Sequence, residues 1–273
     1  MPITLLTDVT AAPFVEVFID ELVPEAASVT VYRLAGGREF RMRGAVNAPT
    51  GGAFTRIDFE VPFNMPVTYR AELFDSAGDS LGFTDSATTT IVSADSWMHN
   101  PLNPSGSVRI ALGPESASVI RRPTPGSVSR PLGRRVGVVL SEPRYGVVGL
   151  SLDIRTVSDA EADAVQAMFG DLNMPPVVCI RLGSRDQVMR VPQPLFLSVL
   201  DAAETGIAHQ WGGGEISHAI EGDEVDPPIP GLFIPLLTRA DLNAFFATRA
   251  ALNAGGLMRL DLNRLYSLAG TAG

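Results

Sequence analysis

Lysine is absent: all 21 basic residues of the 273-residue chain are arginine. This is read as a mark of GC-rich codon usage, not of mechanism. Cysteine occurs once, at Cys179, so an internal disulfide is excluded and the fold must be held by its core or by partner subunits. Cys179 lies in the apolar run "PPVVCIRLG" with no activating neighbour, which reads as a small buried hydrophobe and not as a nucleophile. Long apolar runs are missing too. The uncharged stretches contain proline and are too short to span a membrane, so no membrane insertion is expected. The start, "MPITLLTDVTAAPF", lacks the basic region and apolar stretch of a secretory signal, so synthesis in the cytoplasm is expected.

Catalytic signatures are also lacking. There is no H-E-x-x-H, no G-x-S-x-G and no phosphate-binding glycine loop. His99 stands alone, and His209 and His218 have neither helical nor finger spacing. "HQWGGGEISH" (209–218) reads as a glycine-rich mobile loop or hairpin, although its Trp, Glu and two His could line a pocket. "EGDEVD" (221–226) lacks the alternation of a calcium loop and reads as a solvated acidic turn. No catalytic, cofactor-binding or metal-binding residue is assigned, and no enzyme activity is expected. Formal net charge is −9, so nucleic acid is not an expected partner.

What is present is a charge pattern in three parts. Residues 1–95 hold 13 acidic and 6 basic residues; 96–145 hold 2 and 7; 146–273 hold 15 and 8. Two acidic bodies thus flank a basic stretch carrying six prolines from Pro101 to Pro131. Residues 96–135 are read as a Pro/Arg-rich connector, held out of regular structure by its prolines. Arg121, Arg122, Arg130, Arg134 and Arg135 cluster there. They suit either a solvated arm or contact with an acidic neighbouring subunit. Trp97, in "WMHNPLNPSGSVRI", is expected to anchor the junction by burying its ring.

The fold class expected is mainly β. Residues 1–95 contain "FVEVFID", "SVTVYRLA", "REFRMRG", "TRIDFEV", "VTYRAELFD" and "TTTIV", short runs separated by turn residues. They suggest a β-sandwich. "VTYRAELFD" alternates cleanly, with Val67, Tyr69, Ala71 and Leu73 on one side. Residues 136–237 read as a second β domain with strands "RVGVVLSE", "GLSLDIRT", "VVCIRLG", "QVMRVP" and "LFLSVLDA". One helix over 159–172 crosses it, capped by Ser158 and Glu161, with Val165, Met168, Phe169 and Leu172 as its apolar stripe.

Residues 238–273 repeat in tens: TRADLNAFFA, TRAALNAGGL, MRLDLNRLYS. Thr238 with Asp241, and then Thr248, fit helix N-caps, and Gly255-Gly256 would end the second unit. Short capped helices and one continuous helix over 239–254 both remain open. Short helices are unstable alone, so they must dock through Leu242, Phe245, Phe246 and Leu252 on the second domain or on an adjacent subunit.

Several of these stretches resemble known families. Pro66, Tyr69, Ala71, Leu73 and Gly78 resemble the penultimate strand and turn of a fibronectin type III domain. "WMHNPLNP", "YGVVGLSLDIRTVSDAEADAVQAMF" and "PLLTRADLNAFFATRAALNA" resemble the minor tail proteins of long-tailed phages of actinobacteria, related to distal tail proteins. Arg239 and Arg249 stand where that family's repeats carry tryptophan. The resemblance implies a fibronectin III-like sandwich, then a tail-tube/distal-tail-like β domain with short C-terminal helices. It implies a structural protein of the virion at the phage tail tip, forming a ring (a hexamer) with copies of itself. It also implies contact with the tail tube, tape measure and tail hub or fibre. The alternatives are a carbohydrate-binding module for the host envelope, thinly supplied with two Trp and four Tyr, and a cell-wall hydrolase, which no motif supports.

Overall fold

The computed structural model describes residues 1–170, 174–187, 189–207 and 214–228, and in the C-terminal segment residues 242, 243, 245, 246, 248–254 and 256. Among the described residues the chain is mainly β, made of several antiparallel sheets, none of them closed, with two helices of defined bounds.

Two hydrophobic cores divide the strands. The first is enclosed by two sheets. One has the order β1 (Thr4–Asp8), β2 (Phe14–Ile19), β6 (Phe54–Asp58). The other has the order β4 (Arg38–Arg41), β3 (Ser28–Ala35), β7 (Val67–Phe74), β8 (Ser80–Phe83), with β5 (Ala48–Pro49) on β3 and β9 (Ala87–Thr89) on β7. Val15, Val17 and Ile19 of β2 meet Val29 and Val31 of β3 and the inward row of β7 in one cluster. That row is the expected one: Val67, Tyr69, Ala71 and Leu73 are wholly buried while their neighbours are half-exposed. Each buried aliphatic side chain of this kind contributes about 1.5–3 kcal/mol. The β3–β4 hairpin turns on Gly36 and Gly37, whose φ of 57° and 76° are what a two-residue turn of this hand requires.

The second core lies under a seven-stranded sheet. Its order is β16 (Leu195–Ser198), β15 (Val177–Arg181), β10 (Ser96–Asn100), β11 (Asn103–Leu112), β14 (Leu150–Thr156), β18 (Glu215–Gly222), β17 (Asp201–Ile207). β11 passes between the two halves of this sheet. Up to Ile110 it pairs β10, and its last two residues, Ala111 and Leu112, pair β14. Helix α1 (Asp159–Met168) lies against β10, β11, β14 and β18 and buries Ala162, Val165 and Met168. Ser158 caps it by accepting from the Glu161 amide, and Glu161 reaches back to the Val157 amide.

The structure departs from the sequence reading in several places: residues 126–129, also read as connector, form a strand, and Val138–Ser141 pairs with it outside the seven-stranded sheet. Residues 96–112 are not connector but β10 and β11, inside the sheet. Pro101 falls in the turn between them, and Pro104 lies in the irregular stretch between the Asn103 and Val108 pairings, so neither interrupts a ladder that needs its N–H. The helix is shorter than 159–172: Phe169 is its C-cap and Gly170, at φ 98°, leaves helical space. Leu172 lies outside the described residues. In "QVMRVP", the described residues Gln187, Met189, Arg190, Val191 and Pro192 are turn and coil, not strand.

Candidate functional site: an exposed arm and a buried charged seam

Between β11 and β14 the chain first returns Ala117 and Ile120 to the second core, leaves it from Arg121 onward, and rejoins it at Val147. Strands β12 (Gly126–Ser129) and β13 (Val138–Ser141) pair only with each other. Below them the two legs are zipped by backbone bonds from Glu142 to Pro125, Tyr145 to Pro123 and Val148 to Arg121. One leg, extended from Arg121 to Ser129, spans at most about 30 Å. Val128 and Val139 share one face of the ribbon, and Val138 and Leu140 the other. All are exposed, Val139 at 66% and Leu140 at 59%, and Leu132 and Val136 in the tip loop are barer still. A two-stranded ribbon is at best marginally stable in water. One that shows aliphatic side chains on both faces is built to be covered.

The five arginines divide between base and tip. Arg121 bridges Val148, and Arg122 donates to the Arg190 carbonyl at 2.8 Å while its own carbonyl accepts from Arg144. These two hold the base. Arg130, Arg134 and Arg135 are exposed at the tip, and among the described residues none of the five forms an ion pair.

The other expected contact residues lie apart from the arm in sequence. Leu242, Asn243 and Phe245 are helical, Phe246 sits in a bend, and α2 (Arg249–Ala254) begins after it. Thr248 caps α2, its hydroxyl accepting from the Ala251 amide at 3.1 Å. Gly256, at φ 61°, follows its end. Phe245 and Phe246 stack edge to face with centroids 4.9 Å apart, and Phe245 is exposed. Leu242, Phe246 and Leu252 are half-buried. Thr238, Arg239, Asp241 and the third decad lie outside the described residues.

A second polar constellation escaped the sequence reading. Arg33 stands at an inward position of β3, in line with Val29, Val31 and Ala35. Its Nη1 donates to both oxygens of Asp58, at 2.6 and 2.8 Å. Asp58 also accepts from the Tyr69 hydroxyl at 2.8 Å and the Glu60 amide at 2.9 Å. Glu60 lies 3.8 Å from Arg33 and accepts from Arg43 Nε at 2.6 Å. From the other core, Arg181 on β15 donates to the Pro13 carbonyl at 2.6 Å and lies over the Phe63 ring. Arg43 returns the contact by donating to the Pro228 carbonyl. Phe40 against Phe196, Arg38 with Glu224, and Gln187 with the Phe63 carbonyl extend this seam between the cores. Trp97 packs on the first core from β10, the anchoring role expected of it.

Electrostatics follow from burial. Burial disfavours charge on Arg33, but Asp58 and Glu60 outweigh it and hold the guanidinium above its ordinary value. Among the described residues Arg181 forms no ion pair, and burial pushes it down to about 10. His99 is wholly buried, and burial, then the charges of Arg181, Arg43 and Arg33, push it well down, so it is neutral. Burial pushes the Cys179 thiol up, which leaves it inert. His218 is lowered by burial, and its ring meets the Thr156 hydroxyl at 3.2 Å. His209 and Trp211 lie outside the described residues. In the acidic turn, Asp223 accepts from the Gly149 amide and Glu224 from the Val147 amide and Arg38. Among the described residues no group of three or more His, Cys, Asp or Glu is placed to hold a metal ion, and no helix is long and apolar enough to cross a membrane.

The seam fixes the two cores to each other, and the arm projects from the second. Comparison with protein-family models, curated proteins and solved structures finds no match.

Proposed function

We propose that this chain is a structural protein of the phage tail tip, a minor or distal tail protein that assembles with copies of itself into a ring. The ring joins the tail tube to the host-attachment apparatus. The observation that carries the self-assembly is the arm. It extends beyond both cores, bares aliphatic side chains on both faces, and holds at its tip three arginines that form no ion pair among the described residues. A segment of that composition favours burial against another polypeptide. The seam supports the same reading, because a scaffold transmits position only if its two halves move as one. The resemblance of "WMHNPLNP", of 145–169 and of the decads to minor tail proteins supplies the tail-tip assignment. On this reading the first core is the fibronectin III-like domain and the second the distal-tail-like one. No reaction is assigned to the chain. Electron microscopy of the purified chain is the test: closed rings of a single symmetry are expected, and a monodisperse monomer at micromolar concentration would remove the proposal.

A further inference from the structure

The geometry points to the receptor of the arm: the outer face of β14, β18 and β17 on a second copy of this chain. The inference rests on the self-assembly reading and names the surface it uses. Ser151, Glu221 and Asp201 lie in one row across the three strands, and Asp153, Ala219 and Ala203 in the next. Ser151, Glu221, Asp201, Ala219 and Ala203, together with Asp223, border a cleft of about 440 Å³ with small alanines on its exposed strands. Leu200 rims it and is 84% exposed.

Two features of this cleft ask for a cation from outside. Asp201 and Glu221 are direct cross-strand partners, so like charges face each other on a sheet, an arrangement that costs stability. Among the described residues, neither they nor Asp223 have an ion-pair partner. The arm supplies the complement. Arg130, Arg134 and Arg135 carry three unpaired positive charges, and its legs hold no acidic residue from Ile120 to Ser141. Val138 and Leu140 on one ribbon face suit Leu200 and the alanines. Forked guanidinium–carboxylate pairing favours arginine here.

The arm and the cleft do not meet within one chain, since no arm residue lines the cleft and the tip is exposed. The occupant is therefore a second copy. A contact between two different surfaces is head-to-tail, and repeated contacts of that kind close into rings.

Charge exchange tests it. Reversing the tip (Arg134→Glu with Arg135→Glu) is expected to weaken assembly at least about 100-fold, because attraction becomes repulsion. Reversing the cleft (Asp201→Arg with Glu221→Arg) is expected to do the same. Asp223 is left alone because it holds the Gly149 amide. One chain carrying all four substitutions is expected to assemble again, which no folding defect in either pair would produce. All four proteins are weighed by analytical ultracentrifugation at low salt. If the cleft variant assembles as the parent does, or the fourfold variant fails to recover, the cleft is not the receptor while the parental ring still stands. If the parent itself never assembles, the self-assembly reading falls and this inference falls with it.

Discussion

Replacing Asp58 with alanine is expected to be among the most damaging single substitutions in the first core. The carboxylate accepts two bonds from Arg33, one from Tyr69 and one from the Glu60 amide. Arg33 and Asp58 are shielded from solvent, with side-chain exposures of 0% and 1%. Without Asp58 the guanidinium keeps the Glu60 carboxylate, at 3.8 Å, and the face of the Phe40 ring. Breaking a buried ion pair from one side costs roughly 3–5 kcal/mol, because the surviving charge stays in a medium that cannot solvate it. The orphaned Tyr69 hydroxyl alone would cost about 1–3 kcal/mol, but the two losses overlap, so about 4 kcal/mol is expected. That is a large share of a typical stability of about 5–15 kcal/mol. At about 2–4 °C per kcal/mol for chains of this size, the melting point should fall by about 8–16 °C. Urea unfolding followed by tryptophan fluorescence measures the loss of stability, and a thermal scan followed by circular dichroism measures the shift in melting point. The triple variant Arg33→Met, Asp58→Leu, Tyr69→Phe is expected to recover most of the loss, since apolar groups of similar volume need no partner. A loss under about 1 kcal/mol for Asp58→Ala, or a triple variant no better than the single one, would show that this pair does not hold the core.

The remaining expectations are smaller. His99 has its proton affinity lowered on folding, so the unfolded chain binds a proton near pH 6.5 that the native chain refuses. Its contribution is therefore complete above about pH 6.5 and declines as pH falls, by about 1.4 kcal/mol per unit. His99→Leu should be tolerated at pH 7.5, because among the described residues neither ring nitrogen has a hydrogen-bond partner, and it should flatten stability between pH 6.5 and 5.5. An unchanged slope in urea titrations would contradict this. Ser158→Ala should cost about 1 kcal/mol by removing the cap of α1, with Ser158→Asp close to the parent. Replacing 126–141 by a short Gly-Ser turn should leave the melting point of the monomer nearly unchanged, since the ribbon adds nothing to either described core cluster.

Much of the architecture is legible because alternation is a local signal. β7 shows it in full, and β2, β3, β6, β14 and β15 are visible as short β-branched runs. The helix start is visible in Ser158 and Glu161, whereas its end is set by Gly170, which lies inside an apolar spacing that runs on to Leu172 in the sequence. The prolines at 101 and 104 misled because their effect depends on which N–H groups a ladder needs, and that is set by partners distant in sequence. The arm's charge was visible and its aliphatic exposure was not: "VGVVLS" reads like any buried strand until nothing is found opposite it. Arg33 was recoverable in principle, as an arginine in the inward row of β3. Its partners Asp58, Glu60 and Arg181 come from other strands, so their convergence is spatial. Nothing in the order of residues pairs Asp201 with Glu221.

Native mass spectrometry of the purified chain, beside the arm-replaced chain, tests the central claim most directly. A single closed oligomer is expected for the parent and a monomer for the arm-replaced form. A parent that is monomeric throughout, or an arm-replaced chain that assembles equally well, would contradict assembly through the arm.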